Sequence, residues 1–214
     1  MVYQRLNKET AVKTWLSRGF HHFHLAFELG DGKWFTYVPY FDALGLEIFA
    51  KAYFIAQRSA EFEELNFQEA KKKIDLIAKS YNHKFKKLFE DLNTAVGGNK
   101  IQNLLDTRFD GFKGDRICEV LMAANIEIRY PVPTSISDSF PIAGTNMTWD
   151  PLMSSGVSKF SYTVSREILA SMKTQYGLGI SKSDVDAFIA GAEESGERFC
   201  RLFLNDEPDK YLVP

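Results

Sequence analysis

Apolar residues recur every three to five positions along most of this chain, which is the spacing of one face of an α-helix. The strict alternation of a half-buried strand is scarce outside the stretch "KWFTYV". The pattern therefore predicts an all-α helical bundle. The long predicted helices cover residues 7–29, 41–57, 67–81, 82–92, 115–130, 157–176 and 182–204, and "IQNLLDTRF" is a short one.

Turn and cap residues set the predicted helix ends. Glycines 30 and 32 end the first helix, and Pro39 suits the first turn of the second. Asn82 is a predicted N-cap of the fourth, and Ser181 with Asp184 forms a predicted capping box for the last. Residues 131–151 are rich in Pro, Ser, Thr and Gly. We expect them to form a loop of about 20 residues, a length typical of functional or mobile loops.

The second predicted helix, "FDALGLEIFAKAYFIAQ", is apolar around most of its circumference. Such a helix is expected at the centre of a bundle. Glu47 and Lys51 interrupt it, four residues apart, on one narrow stripe that continues to Arg58. A buried charge is costly unless it is paired. The two residues are therefore either a structural ion pair or part of a polar binding pocket.

Composition limits the classes of ligand. The 214 residues are 45% hydrophobic and include 26 basic and 28 acidic residues. So balanced a charge gives no global attraction for nucleic acid or an anionic membrane. Any nucleic-acid contact must use a local patch, and Lys71–Lys73 are predicted to lie on the solvent side of the third helix.

Motifs of several enzyme classes are absent. The sequence has no P-loop, CxxC, HExxH or GxSxG motif, and no cofactor is expected. His21, His22 and His24 lie close together, but only His21 and His24 share a helix face, so an aromatic-rich helix segment is favoured over a metal site. Cys118 and Cys200 are predicted to be reduced, buried thiols.

The predicted location is cytoplasmic. The first ten residues are polar, without the apolar core of a signal peptide. The longest apolar run, residues 39–57, contains three charged residues and is predicted to be a buried helix rather than a membrane span.

Three segments in order resemble the HEPN family (higher eukaryotes and prokaryotes nucleotide-binding). "LGLEIFAKAYFIA" is similar to its "ExxxKA" helix, "YNHKFKKLFEDL" to its "GHxL" helix start, and "NIEIRYPVP" to its "RYP" helix end. Asn82 stands where the family has glycine, and Phe85 where it has leucine.

This resemblance implies a HEPN-like bundle within a single all-α domain of residues 1–214. The core would cover about 7–176, with a C-terminal helical extension at about 181–204. A binding site would be formed by the matching residues of the three segments, which are Glu47, Lys51, His83, Arg129 and Tyr130. Residues alone also allow a simpler role for Arg129, because the dipole at a helix C-terminus favours cations.

The function implied by the resemblance is binding of RNA or a nucleotide by a regulatory protein that does not cleave. It would act as a homodimer in a toxin–antitoxin, defence or stress system, with a nucleotidyltransferase-type or other protein partner. One alternative is a metal-independent endoribonuclease. Another is a protein-interaction subunit with no nucleic-acid ligand.

Catalytic HEPN proteins carry an arginine followed four to six residues later by a histidine. In this chain only Arg18 and His24 have that spacing. Six residues of helix turn side chains about 120° apart and separate them by about 9 Å along the axis. They would converge only if Gly19 breaks the helix, so no ribonuclease activity is expected.

Overall fold

The computed structural model describes residues 5–30, 37–81, 84–127 and 151–189. Within these ranges the chain forms eight α-helices, a 3₁₀ turn at Ser59–Glu61 and one two-stranded hairpin, which confirms the all-α prediction. In the described part, no helix is both long and apolar enough to cross a membrane. The helices are α1 Lys8–Gly30, α2 Val38–Gln57, α3 Phe67–Lys79, α4 Phe85–Val96, α5 Lys100–Asp106, α6 Gly114–Glu127, α7 Pro151–Tyr176 and α8 Lys182–Ile189, and the strands are β1 Arg108–Phe109 and β2 Phe112–Lys113.

Helix α2 lies at the centre of the bundle, as its nearly continuous apolar sequence predicts. It packs against α1, α3, α4, α6 and α7. Most of its side chains are buried, including Phe49, Tyr53 and Ile55, which are 0% exposed. Burying large side chains on all faces of one helix joins the surrounding helices into one hydrophobic core.

Two glycines allow α1 and α2 to lie close together. A Cβ at Gly19 would stand 2.4 Å from a ring carbon of Phe49, and one at Gly45 would stand 2.7 Å from the ring of Phe23. Each phenylalanine therefore occupies the space that a side chain on the facing glycine would need. Gly19 lies inside a continuous helix and serves packing rather than a helix break.

The hairpin was not predicted from the sequence, where "DGFKGD" indicates only turns. Asp110 and Gly111 both have positive φ, 48° and 92°, as a type I′ turn requires. Phe109 pairs with Phe112 across this turn. The Lys159 ammonium on α7 lies 2.5 Å from an Asp110 carboxylate oxygen, so an ion pair joins the turn to the bundle.

Two predicted helix starts are wrong. Lys84, not Asn82, occupies the N-cap position of α4. Helix α7 begins at Pro151, six residues before the predicted start at Val157, because proline is compatible with the first helical turn.

The predicted capping box of α8 is confirmed. The Asp184 amide donates to Ser181 Oγ at 3.0 Å, and the Ser181 amide donates to an Asp184 carboxylate oxygen at 3.1 Å. The predicted loop at 131–150, the segment "KWFT" and the last predicted helix beyond residue 189 lie outside the described residues.

Candidate functional site: buried acids of α2 and exposed lysines of α3 and α4

Glu47 and Lys51 form a buried ion pair on α2. Their side chains are only 5% and 11% exposed. Asn125 on α6, itself buried, donates from Nδ2 to Glu47 Oε2 at 3.2 Å. The carboxylate therefore has a cation on its own helix and an amide donor on the facing helix. This arrangement joins α2 to α6 inside the protein.

Three other residues of the predicted binding set, His83, Arg129 and Tyr130, lie outside the described residues. Their approach to Glu47 and Lys51 stays a prediction. The structure adds one partner that sequence reasoning missed, Asn125. An asparagine eleven residues into a mostly apolar helix was the available signal, because such a residue needs hydrogen-bond partners when it is buried.

A second buried acid on α2, Asp42, was also missed. Its side chain is 0% exposed. Ser158 on α7 donates from Oγ to Asp42 Oδ2 at 2.6 Å, while Asp42 Oδ1 has no hydrogen-bond partner among the described residues. Burial raises the pKa of Asp42 from its ordinary 3.8 to about 7, against the opposing effect of the Ser158 hydrogen bond.

Serines form a buried stripe on α7 beside Asp42. Ser154, Ser158, Ser161 and Ser165 follow each other at spacings of four, three and four, so they share a helix face. The hydroxyls of Ser161 and Ser165 are buried and have no hydrogen-bond partner in the described part of the chain. The stripe brings polar groups, rather than only apolar side chains, to the contact between α2 and α7.

Tyr162 and His22 are the titratable side chains near this contact. The Tyr162 ring packs edge-on against Phe23 of α1, with centroids 5.4 Å apart, and burial followed by the charge of Asp42 raises the pKa of its phenol far above the ordinary range. The half-buried His22 stacks on Phe41 at 6.2 Å. Burial, followed by the charges of His21 and Arg18, lowers the pKa of His22.

The described residues contain no cluster of three or more His, Cys, Asp or Glu side chains arranged to hold a metal ion. Cys118 is a free thiol whose pKa is raised chiefly by burial, and Cys200 lies outside the described ranges. Helix α1 runs unbroken from Lys8 to Gly30, so the condition under which Arg18 and His24 would converge is not met.

Seven lysines define what we call the lysine surface, on α3, α4 and the residue between them. The six exposed or partly exposed neighbours on these helices and Lys84 at the N-cap follow each other within 17 residues, which contain one acidic residue, Asp75. The segment 71–87 thus has seven basic and one acidic residue, a net charge of +6. The remainder has 19 basic and 27 acidic residues, a net charge of −8. The members are Lys71, Lys72, Lys73, Lys79, Lys84, Lys86 and Lys87.

Most of these ammonium groups face solvent. Lys73 contacts Glu61 at 2.9 Å and Lys87 contacts Asp91 at 2.7 Å, whereas the other five have no ion pair within the described residues. On α3, Lys72 and Lys79 lie opposite the buried stripe that contains Ile74 and Ile77. The prediction that lysines 71–73 lie on the solvent side is confirmed for this helix.

Comparisons of the chain with protein-family models, with curated proteins and with solved structures found no match. A function therefore has to be inferred from the chain's own residues.

Proposed function

We propose that the protein binds RNA through the lysine surface, as a HEPN-like regulatory protein that does not cleave its ligand. The observation that carries this proposal is the separation of charge. Residues 71–87 have a net charge of +6 on exposed helix faces, while the remainder of the chain has −8.

Exposed lysines bind a phosphate backbone mainly by releasing its condensed counterions. Five of the seven ammonium groups have no carboxylate partner in the described residues, so binding RNA breaks few existing ion pairs. The negative remainder of the protein repels the same polyanion. This charge distribution directs a strand to α3 and α4 and away from other faces.

Absence of cleavage follows from geometry at the one Arg–His spacing that matches the resembled family's catalytic motif. Because α1 is a continuous helix, Arg18 and His24 point about 120° apart and cannot act together on one phosphate. Gly19 is held inside this helix by its contact with the Phe49 ring. Purified protein incubated with mixed single-stranded RNA in EDTA should leave the RNA intact.

The binding test is fluorescence anisotropy with a labelled 20-nucleotide RNA of mixed sequence, over a range of salt concentrations. Seven phosphate contacts to a single strand predict a slope of about −5 in log K against log salt, since each contact contributes about −0.7. The variant Lys72→Gln/Lys79→Gln/Lys86→Gln should reduce the steepness of that slope by about 2 and weaken binding.

The matched control changes three exposed lysines elsewhere to glutamine, namely Lys100, Lys113 and Lys182. It removes the same net charge, so it should retain most of the affinity and the full slope. Equal losses in the two variants would show that only net charge matters and would contradict a defined surface. No salt-dependent binding by the unchanged protein would contradict the proposal altogether.

The resemblance to HEPN proteins extends the proposal to a cytoplasmic homodimer that works with a nucleotidyltransferase-type or other protein partner, and to nucleotides as alternative ligands. The high aromatic content, 14% of residues, supports self-association because aromatic side chains are common at interfaces. Light scattering at micromolar concentration should give about twice the chain mass. A monomer would remove this part of the proposal without affecting RNA binding.

A further inference from the structure

We propose that Asp42 is a proton-dependent latch, whose protonated carboxyl holds residues 154–165 of α7 against α2 and whose ionisation loosens that contact. The proposal is independent of RNA binding. It concerns the buried contact between two helices rather than the lysine surface.

The first observation is the poor solvation of this carboxyl group. Asp42 is 0% exposed, and Ser158 supplies its one hydrogen bond in the described part of the chain. No salt bridge of the described residues includes Asp42. An ionised carboxylate in such a place lacks the cation and the second donor that would compensate its lost hydration. The protonated form is therefore the one that fits the closed contact.

The second observation is the character of the facing surface. From α7, Asp42 is faced by Ser158 and by Tyr162, whose phenol also stays uncharged because its pKa is raised. On α1, Phe23 packs against Tyr162, and His22, which stacks on Phe41, is kept uncharged by its lowered pKa. No element described around Asp42 offers a positive charge, so the whole contact suits a neutral acid.

The third observation locates the effect. The contact between α2 and α7 has a second end, where the Tyr53 hydroxyl lies 2.6 Å from Gln175 Oε1 and 2.8 Å from the Ala95 carbonyl oxygen. Tyr53 does not titrate near neutral pH, because burial raises the pKa of its phenol. Ionisation of Asp42 should therefore loosen residues 154–165 and leave residues 168–176 docked.

The sign and size follow from linkage. Once α7 moves away, Asp42 becomes hydrated and its pKa returns toward 3.8, whereas in the closed contact it is about 7. Between these values the closed form holds a proton that the open form has lost, so opening becomes more favourable as pH rises. The opening equilibrium should rise nearly tenfold per pH unit between pH 5 and 6.5 and level off above about pH 7.5.

Hydrogen exchange of the full chain, read by mass spectrometry at pH 5, 6.5 and 8 and corrected for intrinsic exchange, tests this latch. Protection of peptides within residues 154–165 should fall with pH by the factors given above, while peptides within 168–176 keep theirs. In Asp42→Asn, whose side chain is similar in shape and does not ionise, protection of residues 154–165 should not change with pH.

His22 is the necessary control, because its lowered pKa acts in the opposite direction and stabilises the fold as pH rises. His22→Gln should retain the loss of protection in residues 154–165. An equal change in both halves of α7, a flat profile in the unchanged protein, or an unaltered slope in Asp42→Asn would overturn the proposal. If Asp42→Asn does not fold, the contrast between the two halves of α7 in the unchanged protein decides alone.

Discussion

Two buried acids on the same helix, Glu47 and Asp42, differ in what surrounds them. Glu47 is 4% exposed and has the Lys51 ammonium one turn away and the Asn125 amide across the contact with α6. Asp42 is 0% exposed and has a single hydroxyl donor, from Ser158. Nearly equal burial is thus combined with opposite electrostatic surroundings.

The difference shows that the partners of a carboxyl group, and not its burial alone, decide whether it is charged. A counter-ion and an amide donor stabilise the ionised form of Glu47. A lone hydroxyl cannot offset the desolvation of Asp42, so its pKa is raised to about 7. Glu47 is therefore a fixed structural charge, while Asp42 is a group that titrates near neutral pH.

The largest expected effect comes from breaking the Glu47–Lys51 pair. Lys51→Met should lower the free energy of unfolding by about 3–5 kcal/mol, because it leaves Glu47 buried without its cation. Urea unfolding at pH 7, followed by circular dichroism, measures the change.

The double variant Glu47→Gln/Lys51→Met is the control for this prediction. It removes both charges and retains an amide that can contact Asn125, so it should recover more than half of the stability lost in Lys51→Met. Equal losses in the single and double variants would show that Lys51 stabilises through packing of its stem and not through its charge.

Sequence reasoning found Glu47 and Lys51 because opposite charges interrupt an otherwise apolar helix. It missed Asp42, because an aspartate near a predicted helix start is ordinary there, where the dipole favours acids. The burial of Asp42 depends on which face of α7 it meets. Ser161 and Ser165 lie beside an apolar stripe that was predicted correctly, and hydrophobic periodicity gives no sign that serines are buried as well.

The same limit applies to the fold. Long helices with clear apolar stripes, such as α1 and α3, were predicted nearly to the residue, because burial of one face dominates their sequence pattern. The close packing of α1 on α2 was not predicted, since the contacts of Gly19 and Gly45 depend on rings from the facing helix. Strands of two residues, as in the hairpin, are too short to show alternation.

A smaller effect is expected from weakening the one hydrogen bond of Asp42. Ser158→Ala should cost about 1–3 kcal/mol at pH 6, because a buried polar group loses its partner. The hydrogen bond favours the ionised carboxylate, so its loss should raise the pKa of Asp42 further above 7. Since stability falls as pH rises up to the folded pKa, the decline should extend to higher pH than in the unchanged protein.

Thermal unfolding between pH 5 and 9 measures that extension. The control is Ser155→Ala, on the adjacent position of α7, where the hydroxyl hydrogen-bonds to Asp110 rather than to Asp42. Its unfolding temperature should level off at the same pH as that of the unchanged protein. A Ser158→Ala variant that loses stability without any shift in this pH would show that the serine only fills space.

The smallest expected effect uses a pair with the same residue types, order and spacing on another helix. Glu9 and Lys13 on α1 are 3.0 Å apart, and their side chains are 62% and 34% exposed. Glu9→Gln should cost only about 0.2–0.5 kcal/mol, because water already solvates the carboxylate and because Lys13 keeps Asp184 as a second partner at 3.4 Å. The measurement is the same urea unfolding at pH 7, in low salt and again in 0.5 M NaCl, where the cost should shrink toward zero since exposed charges are screened. The loss in Lys51→Met should persist in the high-salt buffer, because its charges are shielded from the solvent by α6. Equal salt sensitivity of the two variants would contradict the comparison between the helices, since it would place the Glu47–Lys51 pair in contact with water.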